Sequence, residues 1–190
     1  LKRKAINIHQ HLIDRCLLND AKAQFEIYKL YYKAMYNTSL RIVGNVEDAE
    51  DVMQEAFLKA FRKINSYEGE VSFGAWLKRI VINHSIDYLK KRKMVFNELS
   101  ANENRLPDNG SEPEVEENIS VDEIKKAMNE LSHGYRLVLS LILFEGYDHE
   151  EVSEILGIKN ATSRSQFLRA RNKLKEILIN RRSKNNVAII

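Results

Sequence analysis

Apolar residues recur along this chain at intervals of three and four, and strand-like alternation is nearly absent. That periodicity predicts an all-helical protein. In the first half it predicts helices over 12–18, 21–43, 48–64 and 72–91; in the second, over 121–131, 134–145, 148–156 and 160–179. The helix over 48–64 has the cleanest single face, with Ala49, Val52, Met53, Ala56, Phe57, Ala60, Phe61 and Ile64 in helical register. The helix over 72–91 is apolar on two sides. Phe73, Trp76, Leu77, Ile80, Val81, His84 and Tyr88 form one face, and Ile82, Ile86 and Leu89 lie opposite, so it is expected to pack on both. Between these faces runs a narrow polar strip of Arg79, Asn83 and Lys90.

The two halves are separated by a change of composition. The stretch 96–120 holds both prolines, Pro107 and Pro113. Its acids are Glu98, Glu103, Asp108, Glu112, Glu114, Glu116 and Glu117, against Arg105 as its one base. Such a segment is expected to be a flexible acidic linker. It divides the chain into a helical domain over 1–95 and another over 121–184. The monomer is the expected state, and the last residues, 185–190, carry no interpretable pattern.

Net charge is only +3 across 190 residues, so the distribution of charge says more than its sum. No apolar run is long enough to span a membrane. No apolar core follows Leu1-Lys2-Arg3-Lys4, so no signal peptide is expected. Cys16 is the single cysteine, at helical spacing from Leu12 and Ile13. It excludes an intramolecular disulfide and is expected to be a buried, inert thiol.

Opposite the apolar face of 48–64 stand Asp51, Gln54, Glu55 and Leu58. Periodicity alone reads them as a solvated face with one exposed leucine; a docking surface is the alternative. The acids Glu47, Asp48, Glu50, Asp51 and Glu55 lack a converging histidine or second helix, so their place at a helix start suits the macrodipole better than a metal. Lys90-Lys91-Arg92-Lys93 ends the next helix, and four consecutive cations exceed what a helix C-terminus requires, which points to phosphate contact. The connecting loop 65–71 contains Tyr67, a side chain able to stack on an unpaired base.

The strongest motif is the final helix pair. Asp148 begins a short helix with Val152, Ile155 and Leu156 inward, Gly157-Ile158 makes the turn, and a second helix follows Asn160. This is helix-turn-helix spacing. On the second helix Phe167, Ala170, Leu174, Ile177 and Leu178 gather on the core side. Thr162, Arg164, Ser165, Leu168, Arg169 and Asn172 lie outward. A major-groove helix uses such a set, with leucine for a thymine methyl and arginine for guanine. From 161 to 184 the bases Arg164, Arg169, Arg171, Lys173, Lys175, Arg181, Arg182 and Lys184 face one acid, Glu176.

Together these residues resemble the extracytoplasmic-function sigma factors of RNA polymerase. Asp48-Ala49-Glu50-Asp51-Val52-Met53-Gln54-Glu55-Ala56-Phe57 is similar to that family's polymerase-docking segment. Ala75-Trp76-Leu77-Lys78-Arg79-Ile80-Val81-Ile82-Asn83 and Ile86-Asp87-Tyr88-Leu89-Lys90 are similar to its promoter-melting and minus-ten helix. Thr162-Ser163-Arg164-Ser165 and Arg169-Ala170-Arg171-Asn172-Lys173-Leu174 are similar to its minus-thirty-five recognition helix.

The resemblance implies a DNA-binding initiation subunit, not an enzyme, acting in the bacterial cytoplasm without a cofactor. Its implied partners are core RNA polymerase and promoter DNA, with an anti-sigma factor as a further candidate. It assigns polymerase binding to Asp48, Asp51, Gln54, Glu55 and Leu58, minus-ten DNA to Asn65, Ser66, Tyr67, Trp76, Arg79, Asn83 and Lys90, and minus-thirty-five DNA to Thr162, Arg164, Ser165, Leu168 and Arg169. Lys90 and Lys91 stand where arginine is frequent, Ser163 where valine is, Gln166 where a basic residue is, and Ser153 where alanine is. A stand-alone helix-turn-helix regulator is the competing reading, and it leaves the polar strip of 72–91 without a role. A metal-dependent nuclease using the 47–55 acids lacks convergent ligands, a nucleophile–base pair and a phosphate loop.

Overall fold

The computed structural model describes residues 5–92 and 119–187, with side chains to 183. The chain divides into two compact units, Leu1–Arg92 and Lys93–Ile190. The expected linker lies outside the described residues except for Ile119 and Ser120.

The first unit contains α1 (Gln10–Leu17), α2 (Ala21–Val43), α3 (Val46–Arg62), a short 3-10 turn (Ile64–Ser66) and α4 (Phe73–Lys91). Each boundary has a local cause. Asp20 caps α2 by accepting from the Lys22 and Ala23 amides at 2.9 and 3.3 Å. The Arg15 guanidinium grips the same carboxylate at 2.7 Å, and that hydrogen bond, with the capping amides, holds Asp20 below the usual carboxylate range. Asn45 caps α3 through the Asp48 amide, and Ser72 caps α4 through the Ala75 amide.

The four helices close on one core in which α2, α3 and α4 pack mutually. Leu12, Ile13, Cys16, Ile27, Met35, Met53, Phe57, Phe73, Leu77 and Val81 are buried there. Burying each large apolar side chain contributes about 1.5–3 kcal/mol. Ala49, Ala56 and Ala60 are buried on the face of α3 that the periodicity predicts. On α4, Ile82, Ile86 and Leu89 are buried as well as Leu77 and Val81, so the helix is covered on both apolar sides.

The second unit contains α5 (Val121–Asn129), α6 (His133–Leu139), a π-helical turn (Ser140–Phe144), α7 (His149–Leu156) and α8 (Asn160–Val187). Ser120 with Glu123, and Asp148 with Glu151, form reciprocal capping boxes at the starts of α5 and α7. The core gathers Met128, Leu131, Leu139 and Ala170, flanked by Phe167, Leu174 and Ile177. Glu130 pairs with Arg181, and Glu123 lies 3.9 Å from Arg182, so the far end of α8 is fastened to α5.

Two elements differ from expectation by more than two residues. The single helix over 134–145 is interrupted, because the chain widens into the π turn at Ser140. A π turn carries an extra residue and rotates the side chains beyond it. Leu141 stays buried, whereas Leu143 and Phe144 face solvent. The last helix runs to Val187 and not to 179. Its extension is polar, so hydrophobic spacing carries no signal there; the arginine–glutamate ties to α5 hold its second half instead.

Candidate nucleic-acid interface

On α3, Asp51, Gln54, Glu55 and Leu58 are all exposed on one side, and Leu58 retains 56% of its surface. Asp48 is placed differently. It is half-buried, and its carboxylate pairs with the Arg92 guanidinium at 3.0 Å, joining the start of α3 to the end of α4. Arg92 also lies over the Tyr88 ring, 4.7 Å from its centre. Burial, reinforced by the adjacent Asp48 carboxylate, pushes the Tyr88 hydroxyl up to about 12. Arg92 is therefore engaged within the fold, unlike a cation presented only for phosphate. Glu55 also reaches α4, where its carboxylate meets His84 Nε2 at 2.9 Å while the glutamate stays largely solvated.

Beside this stripe lies an open groove lined by Tyr28, Lys29, Tyr32, Glu50, Met53 and Gln54. Tyr28, Tyr32 and Tyr36 form a ladder of rings along α2, at 5.5 and 6.0 Å between successive centres. Hydrophobic periodicity did not single out this ladder, although tyrosines four residues apart are a readable signal of one helical face.

The loop between α3 and α4 is built around Tyr67. Its ring packs against Phe73 and Trp76, at 5.5 and 5.4 Å between centres. Its hydroxyl donates to the Val71 carbonyl at 2.7 Å and accepts from Asn7 Nδ2 at 2.9 Å. Gly69, at φ +76°, turns the chain where a side chain would be strained. Asn65 and Ser66 are exposed, whereas Tyr67 and Trp76 are half-buried. Arg79 and Asn83 lie exposed on the outer strip of α4, with Lys90 half-buried further along. The structure thus ties the Tyr67 ring and hydroxyl into the loop's own framework. Asn7, which makes that framework, was missed because nothing in the local sequence marks it.

In the second unit α7 and α8 are joined through the αL turn at Gly157, where the Ile158 amide donates to the Ser153 carbonyl at 3.0 Å. The His149 ring fixes the pair. Its Nδ1 lies 3.0 Å from Ser163 Oγ, and the ring stands edge-on to Phe167 at 5.5 Å. Ser163 and Gln166 are buried, so neither belongs to the outward surface of α8. Thr162, Ser165 and Arg169 are half-exposed, and Arg164, Leu168 and Asn172 are exposed. Leu168, 40% exposed, is the apolar member of that surface. Arg164 Nε donates to Asn160 one turn back at 2.9 Å, and Lys173 pairs with Glu176 at 2.9 Å.

Among the described residues no three His, Cys, Asp or Glu side chains are arranged to hold a metal ion. Among them, too, no helix is long and apolar enough to cross a membrane.

Comparison with known families places residues 27–94 on the model for sigma-70 region 2 and residues 122–174 on that for sigma-70 region 4. The extracytoplasmic-function sigma factor SigW of Bacillus subtilis is 31% identical over 170 residues, covering 84% of this chain and 90% of that protein. SigE of Mycolicibacterium smegmatis is 31% identical over 157 residues, and the chain spans 60% of its length and aligns over 80% of its own. Among solved structures, the sigma factor RpoE of Bartonella quintana, seen in complex with the anti-sigma factor NepR, matches at TM-score 0.53 and 27% identity. That match covers 80% of this chain and 94% of RpoE.

Proposed function

The chain belongs to the sigma-70 family, in its extracytoplasmic-function group of RNA polymerase sigma factors, and from that premise we propose how its two units divide promoter-directed initiation. As a sigma factor it binds core RNA polymerase and promoter DNA and sets where transcription begins. Its proposed role is that of a binding subunit without a catalytic step of its own, working beside the polymerase in the bacterial cytoplasm.

The first unit docks on polymerase through Asp51, Gln54, Glu55 and Leu58. An apolar side chain ringed by polar groups excludes water on contact while its neighbours select the partner. Asp48 acts from behind this surface by holding α3 to α4 through Arg92. The same unit engages minus-ten DNA. Arg79 and Lys90 neutralise phosphate, Asn83 offers both a donor and an acceptor, and the loop 65–71 receives an extruded base. Tyr67 and Trp76 shape that loop from beneath, and Asn65 and Ser66 reach the base edge. The second unit reads the minus-thirty-five element. Leu168 meets a thymine methyl, Arg169 a guanine edge, and Thr162, Arg164 and Ser165 contact base or phosphate near the helix start.

The observation that carries this reading is a pair of outward stripes in chain order, acidic on α3 and basic on α8. Each has one exposed leucine, Leu58 and Leu168, among polar neighbours. Transcription in vitro with core polymerase on genomic fragments tests it. Discrete transcripts dependent on this protein are expected. Unaltered transcription, with no binding to core enzyme, refutes the proposal and leaves a stand-alone DNA-binding regulator. An anti-sigma factor is the further proposed partner, by analogy with the RpoE relative bound to NepR.

A further inference from the structure

The stretch preceding α1 is built against the usual apolar rule. Ile6 and Ile8 are almost wholly exposed, at 93% and 88% of their surface, while Ala5, Asn7 and His9 turn inward. Burial of large side chains therefore does not hold it in place. Hydrogen bonds do, and they converge on the loop 65–71 and the first residue of α4. The Ala5 amide donates to the Gly69 carbonyl at 2.7 Å. Asn7 Oδ1 accepts from the Phe73 amide at 2.8 Å, which satisfies one of the orphan donors at the start of α4. That bond fixes which way the amide points. Asn7 Nδ2 is then left to donate to the Tyr67 hydroxyl at 2.9 Å and to Gln10 Oε1 at 3.0 Å. Having accepted from Asn7, the Tyr67 hydroxyl places its own proton on the Val71 carbonyl at 2.7 Å. One side chain thus links the segment before α1, the middle of the loop and the start of the helix carrying Arg79 and Asn83.

Beneath the loop the packing is close. Tyr31 contacts the Phe73 ring, with 5.6 Å between centres, and lies where a Cβ on Gly74 would come within 3.0 Å of it. The loop therefore rests on an aromatic floor and is drawn down from the side by Asn7. A loop so held arrives at DNA already shaped, and ordering entropy is not spent when a base enters it.

We infer that Asn7 is a positioning residue for strand opening, holding the loop 65–71 in its base-receiving shape through Tyr67 and Phe73. This rests on the proposed reading of that loop. The test uses the full chain with core polymerase on a promoter isolated by transcription of genomic fragments. Opening is followed by permanganate reactivity and closed-complex formation by filter binding. Asn7→Ala, Tyr67→Phe, their combination and a glycine-serine replacement of 65–71 are compared.

Loss of a half-buried, fully used hydrogen-bonding side chain should slow opening roughly tenfold, with closed-complex binding within about twofold. Tyr67→Phe keeps the ring packing and removes the hydroxyl, so it should reproduce part of the defect, and the combination should be less than additive. Hydrogen exchange at the Phe73 amide should rise in Asn7→Ala while amides of α2 and α3 stay protected. A defective glycine-serine loop beside normal opening by Asn7→Ala overturns the inference and leaves the loop reading intact. Equal losses of opening and closed-complex binding in Asn7→Ala also overturn it. A glycine-serine loop that opens DNA normally overturns the loop reading, and the inference with it.

Discussion

The two units hold their candidate contact residues in different ways. In the first, several polar side chains are tied across the fold. Asp48 reaches Arg92 over 44 residues of sequence, Glu55 reaches His84 over 29, and Tyr67 reaches Asn7 over 60. In the second, the polar residues of the first half of α8 have near partners: Arg164 bonds Asn160 and Lys173 bonds Glu176 on the same helix, and Ser163 bonds His149 on the preceding one, while the long-range ties of α8, Arg181 to Glu130 and Arg182 toward Glu123, lie at its far end. The recognition helix is thus a surface whose shape comes from its own periodicity. The first unit's surfaces depend on how three separate segments meet. A substitution in α8 should act at the contact it removes, whereas one in the first unit can act through a distant element.

The largest expected effect tests the outward stripe of α3. Replacing Asp51, Gln54 and Glu55 together with alanine should weaken association with core polymerase by about 100-fold, as loss of a few interface hot spots does. Circular dichroism should be unchanged, because all three side chains are exposed and Glu55 stays largely solvated in its pair with His84. Normal association of the triple variant would remove α3 from the docking surface. Asp48→Ala should instead lower thermal stability by up to about 1 kcal/mol, the scale of a partly exposed ion pair, with little change in association.

Next in size is base readout by α8. Arg169→Ala should cost about 1–3 kcal/mol at one preferred base pair and relax choice there. Lys173→Ala should weaken binding to all sequences alike and reduce the salt slope by about 1. Titrations of a promoter fragment and its single-base variants at several salt concentrations separate the two. The same change in sequence preference from both substitutions would abolish the distinction between reading and phosphate contact.

A smaller effect concerns the helix-turn-helix itself. Asp148 accepts from two amides of α7, and removing such a cap costs about 1 kcal/mol. Asp148→Ala should lower the melting temperature of the second unit and leave association with polymerase unaltered. A fall in both would show that the units are coupled.

The smallest expected effect is on alkaline stability. The Tyr88 hydroxyl ionises at about 12 in the folded protein against 10 for a free tyrosine. The folded state therefore holds this proton more tightly than the unfolded chain. Its contribution to stability is complete below pH 10 and is lost as pH rises toward about 12. Tyr88→Phe should flatten that part of the stability curve for the first unit, measured by denaturant melts between the two values. An unchanged curve would mean that burial of the hydroxyl is not maintained in solution.

The helices were legible wherever a local rule applied. Asp20 and Gly44 bracket α2 at the boundaries that the hydrophobic pattern predicts, and Ser72 caps α4 as its residue type suggests. The outward sets on α3 and α8 emerge from angles around one helix. Asp48 joins the docking set through the family resemblance, which matches residue types along the chain and not a side chain's partner, here Arg92. The Tyr67 hydroxyl and Asn7 were illegible for the same reason: hydrogen bonds over 60 residues leave no periodic trace. The π turn at Ser140–Phe144 is silent in the sequence because an inserted residue changes the helical phase without changing composition. Ser163 and Gln166, conspicuous as departures from the family pattern, prove to be interior residues. The exchange at Ser163, which bonds His149, bears on how α7 and α8 fit together, and neither residue lies on the face offered to DNA.

The lone thiol has a practical use. Cys16 is completely enclosed in the first unit's core, and burial raises its pKa above that of a free thiol. Alkylating dyes need an accessible thiolate, so the native chain should take up almost none while folded. A single cysteine introduced at Ser66 or Ser165, both polar positions with solvent access, would then accept one fluorophore without background. The recombinant protein could report loop and recognition-helix contacts in real time with its native cysteine left in place.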